Sequence, residues 1–219
     1  MKTQIFICVV ICLLNVPLEK SNAQTPVFSK GSVSFTAGYG LGSMWMLTRD
    51  MTFDDVVVSS TASTPSATGP FYGKFEVGAA KHLGLGIHYA YASNSWNCDK
   101  TPYAYGDEEE VTYHYNMTRI TWSIMAHMNI HIGPFSKWDP YTGFGIGYRN
   151  NYVKYTSDNP KEQSGFSDPT VFHVGLEFGA GCRYYFTPNI AAYAEIGVAK
   201  SIFQTGITLN IPNKHLNTK

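Results

Sequence analysis

His127 and His131, four residues apart, are the first pair in this 219-residue chain that could do metal or acid–base chemistry. On a helix that spacing would bring two imidazoles onto one face within reach of one zinc ion, but in a strand it sets them about 13 Å apart. The residues around them, Ile120 to Ile132, alternate apolar and polar, so the strand reading holds and the pair cannot share an ion. Hydrolysis by a nucleophile needs a base and an orienting carboxylate within reach, and no histidine is followed two residues later by serine. The acidic run Gly106 to Glu110 lacks the spaced oxygen ligands of a calcium loop and reads as a solvated acidic loop. Glycines 143, 145 and 147 alternate within a strand and open no helix, so they are no nucleotide fingerprint. No catalytic residue, cofactor or metal site is therefore expected. What remains is a set of charges among small residues: Lys74, Glu76, Arg119, Glu177, Arg183 and Glu195.

The elements that carry them read as strands. Two-residue alternation recurs over Gly31 to Leu41, Phe71 to Ala80, Leu83 to Ser93, Val111 to Ile132, Pro140 to Arg149, Val171 to Phe186, Ile190 to Ala199 and Ser201 to Ile211. The connections Gly42 to Pro70, Asn94 to Glu110 and Asn150 to Thr170 are long and polar, whereas Lys81-His82, Gly133 to Asp139 and Thr187 to Asn189 are short. Alternating long and short links in an antiparallel meander gather the long loops at one end, as in outer-membrane barrels. The link near Lys200 departs from the alternation, being short.

Each strand has one bulky apolar face and one small or polar face. Val33, Phe35, Ala37, Tyr39 and Leu41 oppose Ser34, Thr36, Gly38 and Gly40, and Phe172 to Phe186 (even numbers) oppose His173 to Tyr185 (odd numbers). A water-soluble barrel would cover its outside with many Lys and Glu. Here the non-apolar face is mostly Gly, Ser, Ala and Thr with a few charges, a poor solvent surface and a good interior for a narrow barrel. The bulky face is therefore expected in lipid, and the three positive and three negative charges inside, where they must satisfy one another. A tight turn at Thr187 to Asn189 sets Glu195 near Gly181 and makes a cross-strand contact of Glu195 with Arg183 geometrically reasonable. Tyr89, Tyr91, Tyr113, Tyr115, Tyr148 and Tyr152 toward one end, and Phe135, Trp138, Tyr141, Tyr184 and Phe186 toward the other, match two interfacial belts. The fold expected is all-β, an eight-stranded antiparallel up-and-down transmembrane β-barrel.

Lys2, the apolar run Ile5 to Val16, Pro17 and Ser21-Asn22-Ala23 form a secretory leader, giving residues 1–23 as signal peptide and 24–219 as the barrel. The apolar run is about 12 residues, too short for a spanning helix of roughly 20. With 16 basic and 16 acidic residues the chain has no basic field, which argues against nucleic acid as a partner. Cys8 and Cys12 fall in the leader, leaving Cys98, read in a polar loop, and Cys182, read as a small apolar strand residue. Two cysteines make no disulfide framework.

Lys137 to Tyr148 (KWDPYTGFGIGY) and Gly179 to Ser201 (GAGCRYYFTPNIAAYAEIGVAKS) resemble the small eight-stranded outer-membrane barrels that include the OmpA transmembrane domain and OmpX. The matching positions are Asp139-Pro140-Tyr141, read as a tight turn, the Gly143 to Gly147 strand, Arg183 to Phe186, and Ala194-Glu195 with Gly197. The resemblance implies the outer membrane of a Gram-negative bacterium, contact with outer-membrane lipid and lipopolysaccharide, folding by the barrel assembly machinery, and a monomer. It carries no reaction. A structural or surface-interaction role through external loops, with a possible extracellular ligand, is the function expected. A narrow porin-like channel is the alternative, and a barrel enzyme modifying outer-membrane lipid, using His127 or His173, a more remote one.

Overall fold

The computed structural model describes residues 27–43, 66–100, 111–133, 135–161, 164–167, 172–198 and 201–213. The expected leader and the acidic run Gly106 to Glu110 lie outside the described residues. The elements are β1 (Val33–Ser43), β2 (Ser66–Gly78), β3 (Leu83–Lys100), β4 (Tyr113–His131), β5 (Trp138–Ser157), β6 (Ser164–Ser167), β7 (Val174–Thr187), β8 (Ile190–Val198) and β9 (Ser201–Ile211). The sheet runs β4-β3-β2-β1-β9-β8-β7-β5-β6, and β4 also pairs with β5, so eight strands close into an antiparallel barrel. The ninth, β6, continues the edge of β5 above β7: Val153 to Thr156 pair with β6, whereas Trp138 to Tyr148 pair with β7. Among the described residues there is no helix.

Alternation of large and small side chains explains why these segments close this way. A strand with one bulky face and one small face fits a narrow eight-stranded barrel with the small face crowding the axis when lipid rather than water lies outside. Phe35, Ile87, Ile124, Leu176, Phe178, Ile196 and Ile207 are exposed, while Ser34, Thr36, Lys74, Glu76, Ser123, Thr208 and Asn210 are buried. That polarity is inverted relative to a water-soluble domain, in which large apolar side chains go inside. The apolar exterior suits hydrocarbon, and closure leaves no backbone edge unpaired in it. Trp138, Tyr184 and Phe186 pack on one another near the short turns, with ring centroids 4.6 and 5.3 Å apart. Trp122 and Tyr148, 5.3 Å apart, mark the opposite belt.

Several expectations are corrected. Asn94 to Lys100 and Asn150 to Ser157, read as loop, are strand, because their backbones stay in register with β4 although neither face is apolar. Cys98 thus lies in β3 opposite Tyr115, not in a loop. Asp139-Pro140-Tyr141 is no tight turn but the start of β5, facing Cys182 and its neighbours on β7. Tyr141 is buried inside the barrel and Tyr115 in the long β4–β5 end of the sheet, where Asn159 reaches its hydroxyl, so neither belongs to an aromatic belt. Both share the parity of the small face, so register, not residue type, decided their direction.

Candidate functional site

Close to the short turns, the interior holds a tight ionic cluster. Directly opposite each other on β5 and β7 are Asp139 and Arg183, and β2 brings Glu76 across the lumen. The Arg183 guanidinium donates from Nη2 to Glu76 Oε2 at 2.6 Å and from Nη1 to Asp139 Oδ2 at 3.4 Å. His131, on β4, bonds Glu76 Oε1 through Nε2 at 2.8 Å and Asp139 Oδ1 through Nδ1 at 2.6 Å. Each ring nitrogen of His131 thus meets a carboxylate oxygen from a different strand. Asn129 Nδ2 donates to Glu76 Oε2 at 2.5 Å, and Phe28 stacks on the His131 ring at 3.5 Å. Arg183 also lies over the Tyr141 ring, 4.8 Å from its centroid.

Farther from the turns, Lys74 Nζ donates to Glu195 Oε2 at 2.8 Å, and Tyr141 Oη donates to the same oxygen at 2.8 Å. The Lys74 ammonium sits 5.0 Å from the Tyr193 ring centroid. A third group, His88, His127 and Glu177, comes from β3, β4 and β7: the two imidazoles stack at 3.7 Å, and His88 Nδ1 is 3.5 Å from Glu177 Oε2.

Lys74, Glu76, Glu177, Arg183 and Glu195 all point inward and are less than one-tenth exposed. Arg119 is half-buried on the same face of β4, well above the ionic cluster. Glu195 does pair in register with Gly181. The Glu195 to Arg183 contact, however, is replaced by two others: Arg183 takes Glu76 and Asp139, and Glu195 takes Lys74 and Tyr141. The reason is register, since Asp139 faces Arg183 directly while Glu195 is a diagonal neighbour two positions up the strand. Asp139 and His131 escaped the sequence reading because one was assigned to a turn and the other weighed only along its own strand. The odd-number parity of Gly143, Gly145 and Gly147, continued back to Asp139, was the signal that could have found it.

The arrangement pairs each acid of the two ionic clusters with a basic side chain. It neutralises charge in a narrow interior, and other side chains fill the space above: Met125 is 2 % exposed and reaches across to β7, where a Cβ placed on Gly175 would collide with its Cε.

Lipid-facing exterior, closed polar interior and eight strands agree with the sequence itself, whose residues 22–200 match the outer membrane protein beta-barrel domain family. The chain belongs to that family. No curated protein sequence matches it significantly. Similar solved structures include Ail, the attachment invasion locus protein of Yersinia pestis, at 16 % identity and TM-score 0.47, covering 83 % of this chain and 99 % of that one. A second structure of Ail, in complex with the heparin analogue sucrose octasulfate, aligns at 13 % identity and TM-score 0.47, covering 83 % and 99 % of the two chains. The N-terminal β-barrel domain of OprF from Pseudomonas aeruginosa aligns at 17 % identity and TM-score 0.41, covering 84 % and 100 %.

As in other outer-membrane barrels, the lipid band needs only about 9 to 11 residues per strand. In this member of the family β3, β4 and β5 run for 18, 19 and 20 residues, and so project past the Trp122 and Tyr148 belt. Their tips carry a concave polar site of about 640 Å³ lined by Asn97, Asp99, His114, Asn116, Ser157 and Asp158, among others. Asn116 donates to Asn97 at 2.7 Å, and the His114 backbone amide donates to Asp158 at 2.8 Å. The hydrogen bond between His114 Nδ1 and Asp99, 2.6 Å long, and the charge of that carboxylate hold the imidazole above its ordinary value of 6.5. A raised folded-state value means that the pairing is fully present at pH below 6.5 and is lost as pH rises through the folded value. In an NMR titration of the refolded protein, His114 should therefore deprotonate at higher pH than in an Asp99→Asn variant. Coincident midpoints in the two proteins would show that the pair does not exist in solution.

Proposed function

We propose that this outer-membrane barrel is a surface-interaction protein that recognises an extracellular ligand through the projecting β3–β4–β5–β6 sheet. The observation that carries the reading is the length of three adjacent strands. Beyond about 11 residues of membrane span, their remaining seven to nine extend the sheet by roughly 25 Å at strand rise. Water solvates a polar loop without help, so ordering so much paired backbone outside lipid is reasonable only if its shape is used. The site at its tip offers hydrogen-bond donors and acceptors of several kinds on a stiff support. On this reading the chain is exported by a leader ending at Ala23, folded by the barrel assembly machinery, and works as a monomer among outer-membrane lipid and lipopolysaccharide.

The pore alternative is opposed by ion pairs that cross the lumen from β2 to β7 and β8, and by Met125 above them. Open diffusion would require those groups to separate. The decisive experiment pairs two measurements. Chain refolded in detergent, with folding confirmed by a heat-dependent gel shift, should give no steady conductance in planar bilayers. Cells displaying the full chain should be retained on at least one surface in a panel of immobilised matrix proteins and glycans. A hairpin trimmed by joining Asn94 to Arg119, which face each other across β3 and β4, through a two-residue turn should abolish that retention. Steady conductance, or retention unaltered by trimming, would refute the proposal.

A further inference from the structure

The function proposed above makes no use of the inner group His88, His127 and Glu177. We infer that it is a binding site for one divalent transition-metal ion of the zinc class, held inside the barrel between β3, β4 and β7. Each residue offers one ligand atom, and the three atoms lie within 4.8 Å of one another. Bonds of about 2.0 to 2.2 Å in a tetrahedral site place ligand atoms roughly 3.3 to 3.5 Å apart, so the side chains must rotate to close the set. The two imidazoles stack face to face, 3.7 Å apart with 13° between their planes, so binding turns one ring until both in-plane lone pairs meet at the ion.

Three features make this a built site rather than a chance grouping. His127 is 8 % exposed, and its buried Nδ1 has no hydrogen-bond partner among the described residues. His127, Gly145 and Glu177 stand in one row across β4, β5 and β7, and the residue between the two ligands has no side chain. A Cβ at Gly145 would lie 2.7 Å from His127 Cδ2 and 3.5 Å from Glu177 Cβ, so glycine is what lets the ring lie across β5. The neighbouring carboxylates are engaged elsewhere, Glu195 with Lys74 and Glu76 with Arg183, which also compensates the ammonium nearest the site.

Two nitrogens and one carboxylate oxygen are the donor set of zinc, cobalt, nickel or copper rather than of magnesium or calcium. Glu177 supplies negative charge that two neutral imidazoles do not. A fourth position is left to water. Bound there, the ion would join three strands that are not all adjacent and so brace the barrel wall.

Untagged protein, refolded without metal and confirmed as folded by its gel shift, tests the inference directly. Cobalt chloride is added either during refolding or afterward, and the visible spectrum is recorded after desalting. One retained equivalent with an intense d–d band, displaced by zinc, is expected, together with a zinc-dependent rise in the thermal unfolding midpoint. His88→Gln and His127→Gln should each weaken binding by more than about tenfold. Glu177→Gln, of the same size, should do the same and carries the reading if a histidine variant does not fold. No retained cobalt under either order of addition, or binding that survives Glu177→Gln yet is lost in a His82→Gln, His114→Gln double variant, would overturn the site.

Discussion

Replacing Arg183 with alanine should destabilise the barrel by about 3 to 5 kcal/mol, the range observed when one partner of a buried ion pair is removed. The guanidinium is 3 % exposed and stands between Glu76 and Asp139, so its loss leaves two buried carboxylates with His131 as their remaining shared partner. Water cannot readily replace it, because Phe28 and Tyr141 pack around the cluster. Arg183→Lys should recover only part of the loss, since an ammonium lacks the planar fork that reaches two acids at once. Reversible urea unfolding in detergent or lipid vesicles gives the numbers. A cycle that combines Arg183→Met with Glu76→Gln should cost less than the sum of the single changes. Equal stability of Arg183→Ala and the unaltered protein would mean that the cluster is solvated and not a fastening of the barrel wall.

The second large effect lies on the other face. Phe178 is 62 % exposed midway along β7, flanked in register by Phe144 and Val198, and lies between the Trp138 and Tyr148 belts. Phe178→Arg should cost about 2 to 4 kcal/mol in lipid vesicles, the value for a cation near the bilayer midplane. Phe172→Arg, on a residue 80 % exposed beyond the belt, should change stability by less than about 1 kcal/mol, as near an interface. A water-facing surface would tolerate both changes equally, so matching stabilities would contradict the lipid assignment of the exterior.

Much of this was legible in the residue order. Alternation of period two in Phe35, Ala37 and Tyr39 against Thr36, Gly38 and Gly40 specified strands and faces, since side chains on a pleated strand must point alternately. The polarity of the small face then implied an interior, because Gly and Ser with a few balanced charges cannot serve as a solvated surface. The strand Ser201–Ile211 coincides with the expected run. Polar strand tips were not legible. Asn94 to Lys100 carries no hydrophobic alternation, and what makes it strand is backbone pairing to a partner 13 to 25 residues away.

Partner choice among the inner groups was decided by tertiary structure alone. Alternation tells that Glu76, Arg183 and Glu195 face inward, but not which acid meets which base, because barrel closure brings β2 opposite β7 and β8 across a lumen that linear spacing does not describe. The same holds for His127, whose companions His88 and Glu177 lie on other strands, and whose distance to His131 along β4 was the only distance the linear order supplied. A side chain's direction follows from local geometry at its own position, whereas its neighbours across a closed barrel follow from the register of every strand between them.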